Sequence, residues 1–459
     1  MRAIGFDLGS SFIKGAILDL EQLSLSHTIR LPFPDPIDLA NPAFREFDPR
    51  QILQATRHLL EQLLALAPDA ECVLMSSQLH GLVLTNARGQ ALGNAISWQD
   101  QRALLPLGDG VGTYFDEINR RLDPEDRRRT GNEVRPGVPL CFLFWLAQHH
   151  ALPAEPAIPC SLAHFVAASL CGEIPKSELT HAFAHGALDV ETGTWHQETI
   201  RKLGLESLQW PNLVPQESVI GRWNAGSKHL PWFAPTGDYH CSQVGALLEE
   251  EELSVNISTG SAVIQLAQGC EFGDFQTRPW FDGRFLKTIT HIPGGRALTA
   301  LVNLLGELPA AHGLSLPDPW DYILREAALV QSTILRMSPA FYFGAMGHEG
   351  SLSHIREEEL RIGPLFHAAF AGMAENYEVC ASRIAPRRDW SRVVFSGGVG
   401  LKIALLRTMI CQRLGAAHRL AASDEDVLFG LLALGLRYTG RAPSVLAAMQ
   451  QLRSASAAP

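Results

Sequence analysis

The chain has 459 residues, 46% hydrophobic and 19% charged, an ordinary globular composition that excludes a disordered, collagen-like or simple coiled-coil protein. Its net charge of −10, from 38 Lys+Arg against 48 Asp+Glu, lacks the basic excess of a phosphate-backbone binder, so no nucleic-acid partner is expected. Single cores stop growing at about 250–300 residues, so two domains of about 200 residues each are expected, with a cleft between them.

The N-terminus, Met1-Arg2-Ala3-Ile4-Gly5-Phe6-Asp7, puts an acid where a signal peptide needs an apolar core. No apolar stretch is long enough to span a bilayer, and a cytoplasmic protein without membrane contact is expected. Residues 3–6 read as a strand, Asp7-Leu8-Gly9-Ser10-Ser11 as a turn and residues 12–18 as a second strand, which predicts a β-hairpin. A loop rich in proline (Pro32, Pro34, Pro36, Pro42) follows, and then Ile52, Leu53, Leu59, Leu60, Leu63 and Leu64 recur at helical spacing. The runs 72–75 and 82–84 have β character, and this alternation predicts an α/β domain. The segment 115–232 is more helical, with helices predicted over 140–147 and 162–170. The mixed charge run 120–129 is expected to face water.

Pro, Gly and Trp concentrate around residues 231–237, which marks a boundary between domains 1–232 and 233–459. Beyond it the strand-turn-strand theme returns as Val255-Asn256-Ile257, Ser258-Thr259-Gly260-Ser261 and Ala262-Val263-Ile264-Gln265-Leu266, which suggests a duplicated architecture. Residues 393–395 form a strand leading through Ser396-Gly397-Gly398-Val399-Gly400 into a helix over 401–414. An apolar helix over 424–436 and a polar tail, ending in Ser454-Ala455-Ser456-Ala457-Ala458, close the chain. The eight cysteines form no CxxC pair and are expected to be buried free thiols. Trp195, Trp210, Trp223 and Trp232 cluster in the middle segment; core packing is their expected use, a pocket wall or a homodimer contact the alternative.

Small residues in tight turns leave backbone N–H groups open to phosphate oxygens. Gly9, Ser10 and Ser11 form such a turn, with Asp7 before it and Lys14 after it; the plain reading is a hairpin turn that binds nothing. Asp7 could hold a metal ion directly or through water, since Mg²⁺ takes only one or two carboxylates. Thr259, Gly260 and Ser261 repeat the turn in the second half, and Gly397-Gly398 lies where backbone can approach a flat ligand such as an adenine ring. Asp238, in Thr236-Gly237-Asp238-Tyr239-His240, opens a helix. It reads either as a cap or as a base that accepts a proton from a substrate hydroxyl. Two clusters, Ser76-Ser77-Gln78-Leu79-His80-Gly81 and Trp98-Gln99-Asp100-Gln101-Arg102, supply the directional donors and aromatic wall that a sugar needs.

Taken in order, these segments resemble the FGGY family of carbohydrate kinases. Asp7-Leu8-Gly9-Ser10-Ser11 with Lys14 looks like its first phosphate loop, and Gln78-Leu79-His80-Gly81 with Trp98-Gln99-Asp100-Gln101-Arg102 like its sugar-binding segments. Gly237-Asp238 with Gly245-Ala246 looks like the stretch carrying the base, Ser258-Thr259-Gly260-Ser261 like the second phosphate loop, and Ser396-Gly397-Gly398-Val399 like the adenosine segment. The resemblance implies two actin/hexokinase-like (ribonuclease H-like) α/β domains flanking an active-site cleft, and ATP-dependent phosphoryl transfer to a terminal hydroxyl of a ketose. It implies Asp238 as catalytic base, and Mg²⁺ near Asp7 and Asp238. Gln78, Leu79, His80, Trp98, Asp100, Arg102 and Asp238 would surround the sugar. Gly9, Ser10, Ser11, Lys14, Thr259, Gly260, Ser261, Gly397 and Gly398 would hold ATP.

Within the family, Leu79-His80-Gly81-Leu82-Val83, Ser97-Trp98-Gln99-Asp100, Phe144-Trp145-Leu146 and Asn256-Ile257-Ser258-Thr259 read closest to the sedoheptulokinase branch. Leu79 stands where members usually have Met, and Gln101 where many have Gly. A xylulose, ribulose or other polyol kinase is the alternative, and a catalytically idle sugar- or nucleotide-binding regulator on the same scaffold is the alternative from another class.

Overall fold

The computed structural model describes residues 1–108, 110–314 and 317–456. Two mixed sheets organise the chain. The first begins with β1 (Arg2–Leu8), β2 (Phe12–Asp19) and β3 (Ser24–Pro32), an antiparallel meander. β4 (Val73–Ser77) then pairs parallel with β1, and β5 (Val219–Ala225), β6 (Lys228–Phe233) and β7 (Thr236–Gly237) complete the sheet, β6 and β7 both pairing parallel with β4. The second sheet repeats the plan. β8 (Glu252–Ile257) and β9 (Gly260–Ala267) are antiparallel, β9 pairs antiparallel with β11 (Phe285–Pro293), and β10 (Gln276–Pro279) lies on its outer side. β12 (Arg392–Ser396) and β13 (Ala417–Leu420) then extend the sheet in parallel beyond β8. The duplication suggested by two short hairpins is thus repeated in strand order and direction.

Helices cover the sheets as their apolar spacing dictates. The helix Pro49–Leu66 buries Ile52, Leu59, Leu60 and Leu63 and is capped by the Asp48 carboxylate. Pro139–Gln148 and Leu162–Cys171 match the predicted helices. Five of the eight free cysteines are buried, at positions 72, 141, 160, 241 and 380. Trp223 and Trp232 lie in the core, while Trp195 and Trp210 pack on one another and on His185. No helix among the described residues is long and apolar enough to cross a membrane.

Several expectations change. Asp7 and Leu8 belong to β1, so the first turn is only Gly9-Ser10-Ser11; Gly260 and Ser261 likewise belong to β9. The helix expected over 401–414 is two helices, Gly398–Lys402 and Ala404–Leu414. The charge run 120–129 does not simply face water: it spans two short helices, and Asp126 is buried where Lys202 Nζ reaches it at 2.6 Å. The expected polar tail is a helix, Val445–Ser456, that buries Val445, Ala448, Met449 and Leu452; the end of that tail, residues 457–459, lies outside the described residues.

The helix Asp426–Tyr438 ties the two sheets together. Leu428, Leu431, Leu432 and Leu434 share a core with Ala3, Leu18 and Leu74 of the first sheet and with Ile264 and Leu266 of the second. It also crosses the helix Asp238–Gly245 at backbone contact: a Cβ on Gly430 would lie 2.1 Å from the Cys241 carbonyl oxygen, and one on Gly245 would lie 1.7 Å from that of Asp426. Only glycine permits this approach.

Candidate active site

Parallel pairing places the C-terminal ends of the central strands at one edge of each sheet, where α/β folds bind their ligands. In the first sheet Asp7 is opposite Ser76, and Ser77 is opposite both Leu8 and Gly237. Gly9, Gln78 and Asp238 therefore leave the sheet together. In the second, Asn256 is opposite Ser396 and Phe395 opposite Leu420, so Ser258, Gly397 and the segment leading to Asp426 leave it together.

Three half-buried carboxyls interact across this region. Asp7 is pushed up to about 7, by burial first, with Asp426 and Glu425 adding to it and the Ser76 hydroxyl and Lys14 pulling it back. Asp238 is pushed up to about 8, again by burial first and then by the charges of Asp7 and Asp426, against its hydrogen bond from the Tyr239 N–H and the pull of Arg278. Asp426 rises to about 6 on burial, with Glu425 raising it and the Val427 N–H and Lys14 lowering it. Like charges confined in a region poor in water cannot all ionise cheaply. Asp7 Oδ1 is buried without a hydrogen-bond partner among the described residues, an orphaned acceptor that a cation would satisfy. Among the described residues no group of three or more His, Cys, Asp and Glu is assembled as ligands. A cation here would be held by one or two carboxylates and water, the coordination Mg²⁺ favours.

Asp238 is held firmly. It is the first residue of its helix, Gly237 is the N-cap, and the Asp238 Oδ1 accepts the Tyr239 N–H at 2.6 Å. The Gly237 N–H donates to Thr180 Oγ1 at 3.0 Å, and the Thr180 hydroxyl donates to Glu178 Oε1 at 2.8 Å. Glu178 is fully buried, and burial pushes it up to about 8 against the Thr180 N–H and hydroxyl bonds that pull it back.

The segments assigned to the sugar converge beside it. Leu79 packs with Phe183 and Val190 and abuts Gly237, where a Cβ would meet its Cδ2 at 2.7 Å. His80 takes a left-handed backbone conformation, φ 65°, uncommon for a residue with a side chain, and burial and the Arg135 charge lower it to about 3, so its ring is neutral. Gln78 is buried, and Trp98 leaves 38% of its surface open. Asp100 and Arg102 are turned inward: Arg102 Nε donates to Asp100 Oδ1 at 2.8 Å, and its guanidinium also meets Glu46 and lies over Phe44 and Trp145. Both are almost fully buried, and together they brace the loop that presents Trp98.

The nucleotide segments are more open. Ser10, Ser11, Thr259, Gly260 and Gly398 are exposed, and Gly260 and Gly398 have open space where a side chain would sit. Gly397 takes φ 78° and lies against the second turn, where a Cβ would stand 2.5 Å from both Ile257 O and Ser258 Oγ, so the two segments touch. Ser261 is buried and accepts a hydrogen bond from the Tyr377 hydroxyl at 2.8 Å. Lys14 Nζ donates to Glu425 Oε2 at 2.9 Å across 411 residues of sequence. Glu425 and Asp426 were absent from the sequence-based set; their signal, the acidic Asp424-Glu425-Asp426 at a helix start, reads locally as a cap. Glu133, Arg135 and Arg278 join His80 and carry no local signal at all.

Residues 2–231 match the FGGY family of carbohydrate kinases, N-terminal domain. The chain belongs to the FGGY family of carbohydrate kinases. It is 23% identical to the sedoheptulokinase of Mus musculus over 93% of this chain and 95% of that one. Among solved structures, a ligand-bound xylulose kinase from Lactobacillus acidophilus superposes with a TM-score of 0.82 at 18% identity, over 98% of this chain and 91% of that one. The Plasmodium falciparum glycerol kinase with ADP gives 0.83 at 15% identity, over 98% and 92%. This FGGY kinase is thus a phosphotransferase with an alcohol group as acceptor, of a family that uses ATP.

Proposed function

We propose that this FGGY kinase phosphorylates a terminal hydroxyl of a ketose, with sedoheptulose as the first acceptor to test. The observation that carries the reading is the meeting of Asp7 and Asp238 at the strand ends of the first sheet, with Leu79, the residue before His80, directly beside Gly237. The preference for a seven-carbon ketose rests on the sedoheptulokinase likeness, which spans nearly the whole chain.

Phosphoryl transfer leaves the protein mainly positioning and charge neutralisation. In its ionised form Asp238 accepts the proton of the attacking hydroxyl, its raised proton affinity suiting it to the task, and Glu178 and Thr180 keep the Gly237–Asp238 peptide in place for it. The Gly9 N–H closes its own turn on the Phe12 carbonyl at 3.1 Å, so Ser10 and Ser11 on one side, and Thr259 and Gly260 on the other, offer N–H groups to the phosphates; Lys14 adds a point charge. Gly397 and Gly398 leave room for the adenosine. Asp7 and Asp238 would hold Mg²⁺, which when bound supplies positive charge to the phosphate oxygens. Closure of the two sheets over the bound substrates keeps water from competing as acceptor; because Phe233 ends β6 and Thr236–Gly237 forms β7 of the first sheet, the two halves part beyond Gly237 and not at residue 232.

A second reading, a xylulose or ribulose kinase, is favoured by the whole-chain likeness to xylulose kinases. ADP release measured with sedoheptulose, xylulose, ribulose and no acceptor separates the readings. Acceptor-dependent release, greatest with sedoheptulose, is expected; greater release with a pentulose moves the acceptor to the second reading. Release independent of any acceptor, or none with any polyol, overturns both.

A further inference from the structure

A buried ion cluster borders the acceptor region, and three of its members, Glu133, Arg135 and Arg278, belong to none of the motifs that define the family likeness. Glu133 is fully buried: Arg278 donates to it from Nε at 3.1 Å and from Nη2 at 3.0 Å, Arg135 Nη2 forms an ion pair with its Oε1 at 2.7 Å, and His80 Nε2 lies 2.9 Å from the same oxygen. The buried carboxylate is thus paired with two guanidinium groups, as a charge this deep requires. Arg135 Nη2 also lies 2.8 Å from His80 Nε2, so the tautomer of the neutral ring decides whether that nitrogen donates to Glu133 or accepts from Arg135.

Arg278 and Arg135 differ in where they end. Arg278 is sealed, 1% exposed, with its guanidinium 4.6 Å from the ring centroid of Tyr239, the neighbour of Asp238. Arg135 keeps 20% of its side chain open and is pinned from the other side by Thr290, whose Oγ1 accepts from Nη1 at 3.0 Å. The next turn of chain brings Gly137 against the backbone of Trp98, where a Cβ would lie 2.5 Å from the carbonyl oxygen. Arg135 therefore touches His80 and stands two residues from the Gly137 contact with Trp98, and its fork is held by Glu133 and Thr290 before any ligand arrives. A pinned guanidinium has little rotamer freedom left to lose on binding.

We propose that Arg135 determines acceptor specificity: it donates hydrogen bonds to acceptor oxygens remote from the hydroxyl that Asp238 deprotonates, and Glu133 positions it to do so. This rests on the kinase reading above. The test is steady-state kinetics on Arg135→Met and Arg135→Lys with the best acceptor of the wild-type protein, varying acceptor and ATP separately. Arg135→Met should raise the acceptor KM about 10- to 100-fold, the loss of a hydrogen bond from a charged donor, with the ATP KM within about twofold. Arg135→Lys keeps the charge against Glu133 but loses the fork, and should fall between the two. If Arg135→Met does not fold, a raised acceptor KM in Arg135→Lys alone carries the proposal. An unchanged acceptor KM in a folded variant overturns it, as does a parallel rise in both KM values, which would make Arg135 only a brace to Thr290. A wild-type protein without acceptor-dependent ADP release defeats the kinase reading itself, a separate result from either.

Discussion

Replacing Asp238 by Asn tests the carboxyl cluster in two independent ways. Burial and the charges of Asp7 and Asp426 move Asp238 from its usual 3.8 to about 8. At about 1.4 kcal/mol per pH unit this corresponds at most to about 6 kcal/mol; water reaches the half-buried carboxyl, which brings the expected penalty to about 1–3 kcal/mol. The sign follows from the direction. The folded-state value lies above the unfolded one, so the stability that the protonated carboxyl contributes is complete below about pH 4 and is lost as pH rises towards 8. Asn does not titrate. The melting temperature of Asp238→Asn relative to wild type should therefore climb by a few degrees between pH 5 and pH 8 and level off above it, at about 2 °C per kcal/mol. In the same variant kcat should fall about 10²- to 10⁴-fold while nucleotide still binds, the range for loss of a general base. Thermal melts at pH 5, 7 and 9 without ligands, with turnover measured alongside, decide the matter. A melting difference that stays constant with pH refutes the electrostatic argument, and near-normal turnover removes Asp238 from the base role.

Gly430→Ala would ordinarily favour a helix, but its Cβ would stand 2.1 Å from the Cys241 carbonyl; chemical denaturation should show a loss of about 1–3 kcal/mol. His80→Ala should raise the acceptor KM and leave the ATP KM unchanged, while an unchanged acceptor KM would make His80 a core residue only. Lys14→Met frees Glu425 and should raise the ATP KM several-fold with the acceptor KM unaffected; equal effects on both substrates would count against a phosphate role.

The turns and strand ends were legible because their chemistry is local. Gly-Ser turns between β-branched or apolar runs announce hairpins, and Gly237-Asp238 announces a helix start. The helix Val445–Ser456 was missed although its signal is local: Val445, Ala448, Met449 and Leu452 follow the i, i+3, i+4, i+7 spacing, and Gln450, Gln451 and the small polar residues at the end made the segment read as a tail. The cluster of Glu133, Arg135 and Arg278 was not, because it joins residues about 145 positions apart whose only shared property is burial. Asp426 and Glu425 belong to the same class: only the crossing at Gly245 and Gly430 brings that helix start to Asp7 and Lys14. Asp100 and Arg102 show the converse, since polar density beside an aromatic reads as a binding surface until the structure reveals that the two satisfy each other.

The helix Asp426–Tyr438 carries a cost in time. Ala3, Leu18 and Leu74 lie in the first 74 residues of the chain, and the leucines that cover them come more than 350 residues later. During synthesis at about 5–20 residues per second, the first sheet keeps an uncovered apolar face for roughly 20–70 seconds. This late helix also delivers Asp426 and the Glu425 partner of Lys14, so the first sheet acquires its cover and the site its third carboxylate in one late step.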